Sequence, residues 1–428
     1  MQSVVHVPLW LRVFNFATIT AAISYRMTIF TDLLFYPIRY SRFAICAIIV
    51  FELLALLFNR WNGVVIRTNV LKFPPLRLLF ILVVVQVLIA IIHLQIESVG
   101  AALFTGLNDF LLCILVYSLL CSRKQVLPKE YIYFAVFNIA VTVLAFFLTQ
   151  VHILSPYTNE VNSLSSLFLG NSEAGQTYYM PGYLAIQSDN IRLLNVPYYL
   201  GWSFEPHVFC LFVLPAVFFM LGDTSKKSLK LIILIVGAFI FIESFSVTAS
   251  LAGLACALLF FISSFSSSGR KNNALLIASI AIVLGFLLYS MGALRFDFSL
   301  LDYSRVKIYE DTSSLEYSTN NLEGLLIPNS IIGDGIFGWD IRHTKDPNIG
   351  LISYPFLIAY FASVLYYCIK LVKSKQTYYA LIGVGVLYTI LHMLKLAQAA
   401  FCMPFLYLML VVLFRAHEER DITIKENR

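Results

Sequence analysis

Long apolar runs follow one another along most of this chain, and two polar stretches, at 152–202 and 293–350, interrupt them. A transmembrane helix needs about 20 mainly apolar residues. The apolar runs therefore predict about twelve spans, at 5–25, 42–59, 77–94, 101–121, 131–152, 203–221, 230–245, 247–266, 273–292, 351–370, 376–394 and 398–415. This pattern indicates an all-α polytopic membrane protein, built as a single transmembrane domain over 1–428 with two large loops.

Two of the predicted spans decide the topology. Arg12 and Asn15 interrupt the first span. The stretch 230–265 fits either one long helix or two short helices that break near Ser244–Ser250. We favour the break because it keeps the topology consistent. Removal of the first span, or fusion of the 230–265 pair, would place one of the long loops on the inward side.

Lys and Arg residues fall mainly on one side of the predicted topology. With the N-terminus inside, the inward connections and the C-terminal tail carry Arg60, Arg67, Lys72, Arg77, Arg123, Lys124, Lys129, Lys226, Lys227, Lys230, Arg270, Lys271, Lys370, Lys373, Lys375, Arg415 and Arg420. Cytoplasmic loops carry such an excess, and the outward turn at 95–100 contains neither residue type. The arginines at 26–42 are the exception. The distribution places both long loops on the outward face.

Composition narrows the class of protein further. With 59% hydrophobic and 13% charged residues, the chain is not an ordinary soluble domain. The net charge of +6 reflects the inward basic residues, so we expect no nucleic-acid partner. All seven cysteines lie in or beside apolar runs, which predicts neither a disulfide framework nor a cysteine metal cluster.

The first outward loop carries a single basic side chain, Arg192. The loop then leads into Gly201-Trp202-Ser203-Phe204-Glu205-Pro206-His207, where the sixth predicted span begins. Proline is favoured in a first helical turn because its missing N–H would have no partner there. The helix dipole favours Glu205 at that position. Structural roles remain the alternatives to a site: a salt bridge of Arg192 with Asp189 or a lipid phosphate, and a hydrogen-bonded interface position for His207.

The second outward loop holds groups suited to anion binding and proton transfer, namely Arg305, Arg342, His343 and Asp346. Between them, Ile332-Gly333-Asp334-Gly335-Ile336-Phe337-Gly338-Trp339 predicts a tight turn, because glycine permits positive φ. The chain contains neither a P-loop nor a dinucleotide fingerprint. It also lacks Asp-x-Asp and His-x-x-x-His spacings. We therefore expect no cofactor and no metal.

These residue types fit transfer from a lipid-linked diphosphate. Guanidinium groups bind phosphate bidentately, so Arg192 and Arg305 from separate loops could clamp a diphosphate without a metal. His343 is the first candidate base, since an ordinary histidine accepts a proton near neutral pH. No nucleotide pool exists outside the membrane, whereas a lipid-anchored diphosphate sugar supplies its own leaving group. Aromatic side chains such as Trp202 are compatible with sugar stacking and equally with interface anchoring.

The combination resembles the bacterial O-antigen polymerase and ligase superfamily of lipid-linked glycan enzymes. The order and spacing of the spans and of the two outward loops are similar. Arg192 with Gly201–Pro206 resembles the family's Arg…Gly-x-x-x-Glu-Pro segment. Ser304-Arg305 ahead of Gly333-Asp334-Gly335 resembles its second-loop Arg and Gly-x-Gly turn. The segment His343…Asp346…Gly350-Leu351 resembles the one in which the family places its His or Asp.

The resemblance carries specific expectations about chemistry and location. It implies a GT-C-like glycosyltransferase architecture in the bacterial inner membrane, with an active site that faces the periplasm. The donor would be an undecaprenyl-diphosphate-linked oligosaccharide, and transfer would be inverting and metal-independent. The expected partners are membrane lipid and a chain-length regulator. The candidate residues are His343, Glu205 and Asp346 for catalysis, Arg192, Arg305 and Arg342 for the diphosphate, and Trp202 and His207 for further substrate contacts.

Three functions stay open at this point, and a structural membrane component with no active site is a further alternative. Thr344 follows His343 where the ligase branch has Asn, and Asp346 precedes Gly350 as in the polymerase branch. O-antigen polymerisation is therefore the leading interpretation, ahead of ligation onto lipid A-core. A transporter or flippase is the third possibility, since about twelve spans would suit one. Against it, the chain has no internal repeat, and its intramembrane ionisable residues form no mirrored pattern.

Overall fold

A computed structural model describes residues 9–23, 46–54, 65–94, 96–151, 186–187, 198–199, 206–244, 249, 252–253, 255–256, 259, 327–328, 330–333, 349–393 and 404–426. Within these residues the protein is almost entirely helical. The one exception is a short antiparallel pair, in which β1 (Ile186–Gln187) bonds to β2 (Tyr198–Tyr199). All-α architecture is thus shown for the described part of the chain.

The helices coincide with predicted apolar runs, and their bounds differ from the predicted ones by a few residues at most termini. They are α1 (Leu9–Ile23), α2 (Pro74–Ile92), α3 (Ile96–Ser122), α4 (Lys129–Gln150), α5 (Pro206–Asp223), α6 (Lys227–Ser244), α7 (Gly350–Val372), α8 (Thr377–Met393) and α9 (Pro404–Glu426). Residues 46–54 are also helical, and a 3-10 turn, Asn69–Lys72, precedes α2. Of the run at 247–266, residues 249, 252–253, 255–256 and 259 are described and helical. The run at 273–292 and most of the predicted break after Ser244 lie outside the described residues.

Among the described residues, two helices, α2 and α7, are long and apolar enough to cross a membrane. The sequence of α2 is apolar on every face, and its N-terminal residues Pro74 and Pro75 begin the helix, where proline fits. Leu79 and Leu82 are buried against the protein, while Phe80 and Leu88 are about half exposed. A helix that is apolar all round belongs in a protein core or a bilayer. The described helices are therefore compatible with a membrane protein.

Helices α2 and α7 lie antiparallel. The ring of Phe73, just before α2, lies 4.7 Å from that of Tyr367 near the end of α7. At the opposite end, His93 follows α2 and approaches Gly333, which contacts Gly350 at the start of α7. We name the end formed by His93, Gly333 and Gly350 the glycine-turn end. Both helix termini that meet there were predicted to face outward.

Basic residues from distant parts of the chain meet at the other end. Arg415 of α9 donates from Nε to the carbonyl of Gln125, between α3 and α4, at 3.1 Å. Arg420 donates from Nη1 to the carbonyl of Lys370 in α7 at 2.9 Å. We name this end, with Arg123, Gln125, Lys370, Arg415 and Arg420, the basic end. Its four basic residues were all predicted to lie on the inward side, and the structure brings them to one end of the helices.

The direction of α5 follows from its contacts with α8. Gly222, at the end of α5, packs against Tyr378 at the start of α8. Gly383 packs against Leu371, so α7 and α8 form an antiparallel pair that turns at the basic end. Helix α5 therefore runs toward the basic end. Its first residue, Pro206, lies on the glycine-turn side of the bundle.

Aromatic rings fill the core between α4, α5, α8 and α9. Tyr131 is fully buried and donates its hydroxyl proton to the carbonyl of Phe212 at 2.7 Å. The ring of Phe212 stacks on that of Phe405 with centroids 4.9 Å apart. Close approach of α5 and α8 depends on Gly385, because a Cβ there would lie 2.6 Å from Cε1 of Phe219. Small residues commonly permit such close helix packing in membrane proteins.

The last helix is longer than predicted. The apolar run predicts a span at 398–415, whereas α9 runs from Pro404 to Glu426. Arg415 forms ion pairs with Glu418 and Glu419 at the i,i+3 and i,i+4 positions. Such pairs stabilise a helix beyond the end of its apolar run. The predicted inward tail therefore continues as helix.

Candidate functional site at the glycine-turn end

Two glycines with positive φ define this end of the protein. Gly333 has a φ of 67° and Gly350 a φ of 64°. The backbone N–H groups of Leu351 and Ile352 donate to the carbonyls of Ser330 and Ile331 at 2.9 and 3.1 Å. The first turn of α7 thus pairs with the segment 330–333, which satisfies two N–H groups that a helix leaves free at its start. The positive φ predicted for the glycine cluster is observed at Gly333, and the rest of the cluster, from Asp334, lies outside the described residues.

Gly350 cannot be replaced without strain. A Cβ at this position would overlap the carbonyl group of Ile332 and lie 2.7 Å from the backbone nitrogen of Gly333. Left-handed backbone also costs other residues about 1–2 kcal/mol. Glycine is therefore the residue that allows the chain to enter α7 while it contacts the segment 330–333.

His93 joins the same junction from α2. It lies directly after the helix, and its Nε2–H donates to the carbonyl of Gly333 at 3.3 Å. The two residues are 240 positions apart in sequence. No site role was predicted for His93 from the sequence. The feature that could have indicated such a role is an ionisable side chain at the outward end of a predicted span.

The start of α5 confirms part of the first-loop prediction. The helix begins at Pro206, as the Glu-Pro-His segment predicts, and His207 lies in its first turn. Upstream, β1 and β2 bring Ile186 beside Tyr199 and Gln187 beside Tyr198. The β2 strand also packs against α4 and α6. Part of the first loop is thus held against the helices, on the chain segment that leads to α5.

The remaining predicted site residues lie outside the described residues. For the first loop these are Arg192, Trp202 and Glu205, and for the second loop Arg305, Arg342, His343 and Asp346. Their positions are bracketed by described residues. The segment 334–348, which carries Arg342, His343 and Asp346, leaves Gly333 and returns at Ile349 beside it. Its two ends are therefore fixed at the glycine-turn end.

A second polar cluster lies elsewhere, among α1, residues 46–54 and the start of α4. Asn15, oriented to satisfy both neighbours, donates to Glu52 and accepts from Nη2 of Arg123 at 2.9 Å. Nη1 of Arg123 pairs with Glu130 at 2.5 Å. This cluster links buried carboxylates to an arginine of the basic end, as buried charges require. It explains why Asn15 can occur within an apolar run without disrupting α1, whereas Arg12 is exposed.

Metal binding finds no support in the described part of the chain. No three His, Cys, Asp or Glu side chains there lie close enough together to hold an ion. The six described cysteines are free thiols.

Comparisons with protein-family models, with curated proteins and with solved structures return no match.

Proposed function

We propose that this protein is a bacterial inner-membrane O-antigen polymerase that acts on lipid-linked glycans at the periplasmic face. One structural observation supports it most. The described ends of segment 334–348, the start of α5 and His93 all lie on the side opposite the basic end. The segments that carry Glu205 and His343 are therefore joined to described residues that lie away from the face that the positive-inside rule assigns to the cytoplasm.

The proposed reaction follows from the residue types in the two predicted outward loops. Arg192, Arg305 and Arg342 bind the diphosphate of an undecaprenyl-linked glycan and stabilise the negative charge that develops as it leaves. The bond between the anomeric carbon and the diphosphate oxygen breaks, and the diphosphate departs with the electron pair. A hydroxyl of the acceptor repeat unit attacks from the opposite face, and its proton passes to a base. The configuration at the anomeric carbon inverts.

Four residues are candidates for the base. Sequence motifs favour His343, with Glu205 and Asp346 as alternatives, and the structure adds His93 through its contact with Gly333. A general base contributes about 10²–10⁴ in rate. Each candidate is replaced singly, in the variants His343→Ala, Asp346→Ala, Glu205→Gln and His93→Ala. The base is the residue whose replacement abolishes the ascending limb of the pH–rate profile.

Glycan analysis in the native host tests the proposal against ligation and transport. A strain that lacks the protein is complemented with wild type, Arg192→Ala or Arg305→Ala, and its lipopolysaccharide is separated by length. Lys375→Ala, an exposed cation outside the proposed site, is the matched control. A polymerase predicts lipid A-core that carries a single repeat unit in both arginine variants. Bare core with long glycan still on the carrier would instead establish ligation, and normal glycan would favour a transporter.

A further inference from the structure

A cavity of about 370 Å³ opens between α2, α3 and α9, in the half of the bundle nearer the basic end. Its walls are apolar and aromatic, and they include Phe80, Ile81, Phe110 and the deeply buried Cys113. Volumes of about 300–1,000 Å³ are typical of small-molecule sites. Phe80 and Ile81 are partly exposed on the outer surface of α2. The cavity is therefore open toward the surroundings of the helices.

One charged side chain lines this cavity among the described residues, namely Arg77 in the first turn of α2. Arg123, Arg415 and Arg420 all form ion pairs with carboxylates. Arg77 forms none with any described residue, and neither does Lys72 one turn earlier. The stretch 65–77 contains three basic residues and no Asp or Glu. The mouth of the cavity is thus cationic and has no counter-ion among the residues that the structure describes.

The cavity is too small to enclose a full turn of a protein helix. An α-helix has a diameter of about 10 Å with side chains, so 370 Å³ would hold only about 5 Å of one, less than a full turn. A hydrocarbon chain is much thinner and matches the apolar walls. A phosphate attached to that chain would supply the missing anion for Arg77. Basic pockets on the cytoplasmic side of membrane helices bind anionic lipid headgroups in the same way.

We propose that this cavity, the α2–α3–α9 groove, binds an anionic phospholipid of the inward leaflet. One acyl chain lies between Phe80, Phe110 and Cys113, and the headgroup phosphate accepts hydrogen bonds from Arg77. The groove lies toward the opposite end of the helices from the glycine-turn end, so it is separate from the site for the lipid-linked glycan. It binds a lipid as a component of the fold, and its described lining comes from α2 with the turn before it, from α3 and from α9.

Lipid binding to the purified full-length protein tests the inference. Native mass spectrometry counts the lipids retained after titration with phosphatidylglycerol or with phosphatidylcholine of the same acyl chains. An arginine near an anionic lipid strengthens the affinity for that lipid about fivefold. Wild type should therefore retain phosphatidylglycerol about fivefold better. Equal retention of the two lipids by wild type would overturn the proposal without reference to any variant.

Two variants, each with a matched control, locate the lipid. Arg77→Gln removes the proposed phosphate contact, and Lys72→Gln removes a neighbouring cation that does not line the groove. Ile81→Trp fills the groove, and Val84→Trp adds the same bulk at an exposed position of α2 outside it.

We expect Arg77→Gln to lose the preference for phosphatidylglycerol over phosphatidylcholine, and Ile81→Trp to lose the bound lipid. Both control variants should retain phosphatidylglycerol as wild type does. An equal loss in Lys72→Gln would show diffuse surface attraction and contradict a built site. If the protein forms a dimer and Ile81→Trp dissociates it, a second copy of the chain occupies the groove, and the lipid proposal is contradicted.

Discussion

At the scale of single residues, Gly350 is the position where sequence and conformation are most tightly linked. Gly350→Ala should lower the stability of the protein by at least about 2 kcal/mol, because a left-handed alanine alone costs about 1–2 kcal/mol and its Cβ overlaps Ile332. Gly100→Ala is the control, since nothing lies within 4 Å of a Cβ there. Within helix α3, alanine should be neutral or slightly stabilising. Thermal unfolding of the purified variants measures both changes in stability. An unchanged stability of Gly350→Ala would contradict the positive φ at this position.

His417 gives the protein a stability that depends on pH. Its ring is buried beyond the predicted last span, and its Nε2–H donates to the carbonyl of Tyr367 at 2.8 Å. Burial, with the nearby positive charges of Arg420 and Lys370, lowers the pKa of His417 to about 4 despite that hydrogen bond and the carboxylate of Asp421. In the unfolded chain the pKa is about 6.5. The unfolded state therefore binds the proton first as the pH falls, and stability is lost from about pH 6.5 down to about pH 4.

The expected loss for His417 between pH 8 and 5 is about 2 kcal/mol. Thermal unfolding of wild type and His417→Gln across this range measures it. The variant should show a flatter pH dependence, because its amide does not titrate. Parallel curves for the two proteins would mean that His417 titrates normally in the folded state.

Residues also show what the sequence could and could not predict at the site. The turn at Gly333 was predictable, because a glycine cluster in a polar loop indicates positive φ. The contact of His93 with Gly333 was not, because it joins residues 240 positions apart and no local pattern specifies such a pair. The left-handed start of α7 at Gly350 was missed for the same reason, since the partner segment 330–333 makes it necessary.

At the scale of elements, the pairing of α5 with α8 depends on one glycine facing one aromatic ring. Gly385→Ala should destabilise the protein by about 1–3 kcal/mol, because the added methyl meets Phe219. Phe219→Leu should relieve that overlap, so the double variant should lose less stability than the sum of the two single variants. Thermal unfolding of all four proteins completes the cycle. Strictly additive losses would show that the two side chains do not meet.

Helix positions were the most predictable elements, because long apolar runs specify them without tertiary information. The C-terminal half of α9 was the exception. Its helical state rests on ion pairs of Arg415 with Glu418 and Glu419 and on the hydroxyl of Tyr117, which donates to Glu418 at 2.9 Å. A prediction based on hydropathy ends where the apolar run ends. Contacts between charged side chains then decide how far the helix continues.

At the scale of the whole molecule, the two ends differ in charge and in the parts of the chain that they gather. If the positive-inside rule holds, the basic end faces the cytoplasm and the glycine-turn end faces outward. Leu94→Cys, which is 87% exposed after α2, should react with an impermeant maleimide in intact spheroplasts. Lys375→Cys, beside the basic end, should react only after permeabilisation. The reverse pattern would place the candidate site in the cytoplasm and exclude a periplasmic enzyme.

The polymerase proposal itself depends on residues whose chemistry a purified reaction can isolate. The most direct measurement supplies the purified protein with an undecaprenyl-diphosphate-linked repeat unit from its host, with a metal chelator and without nucleotide. The proposal predicts that wild type lengthens the lipid-linked glycan, and that Arg305→Ala slows elongation by about 10²–10³ because one preorganised donor to the leaving group is lost. Elongation at the wild-type rate by Arg305→Ala, or no elongation by wild type, would contradict it.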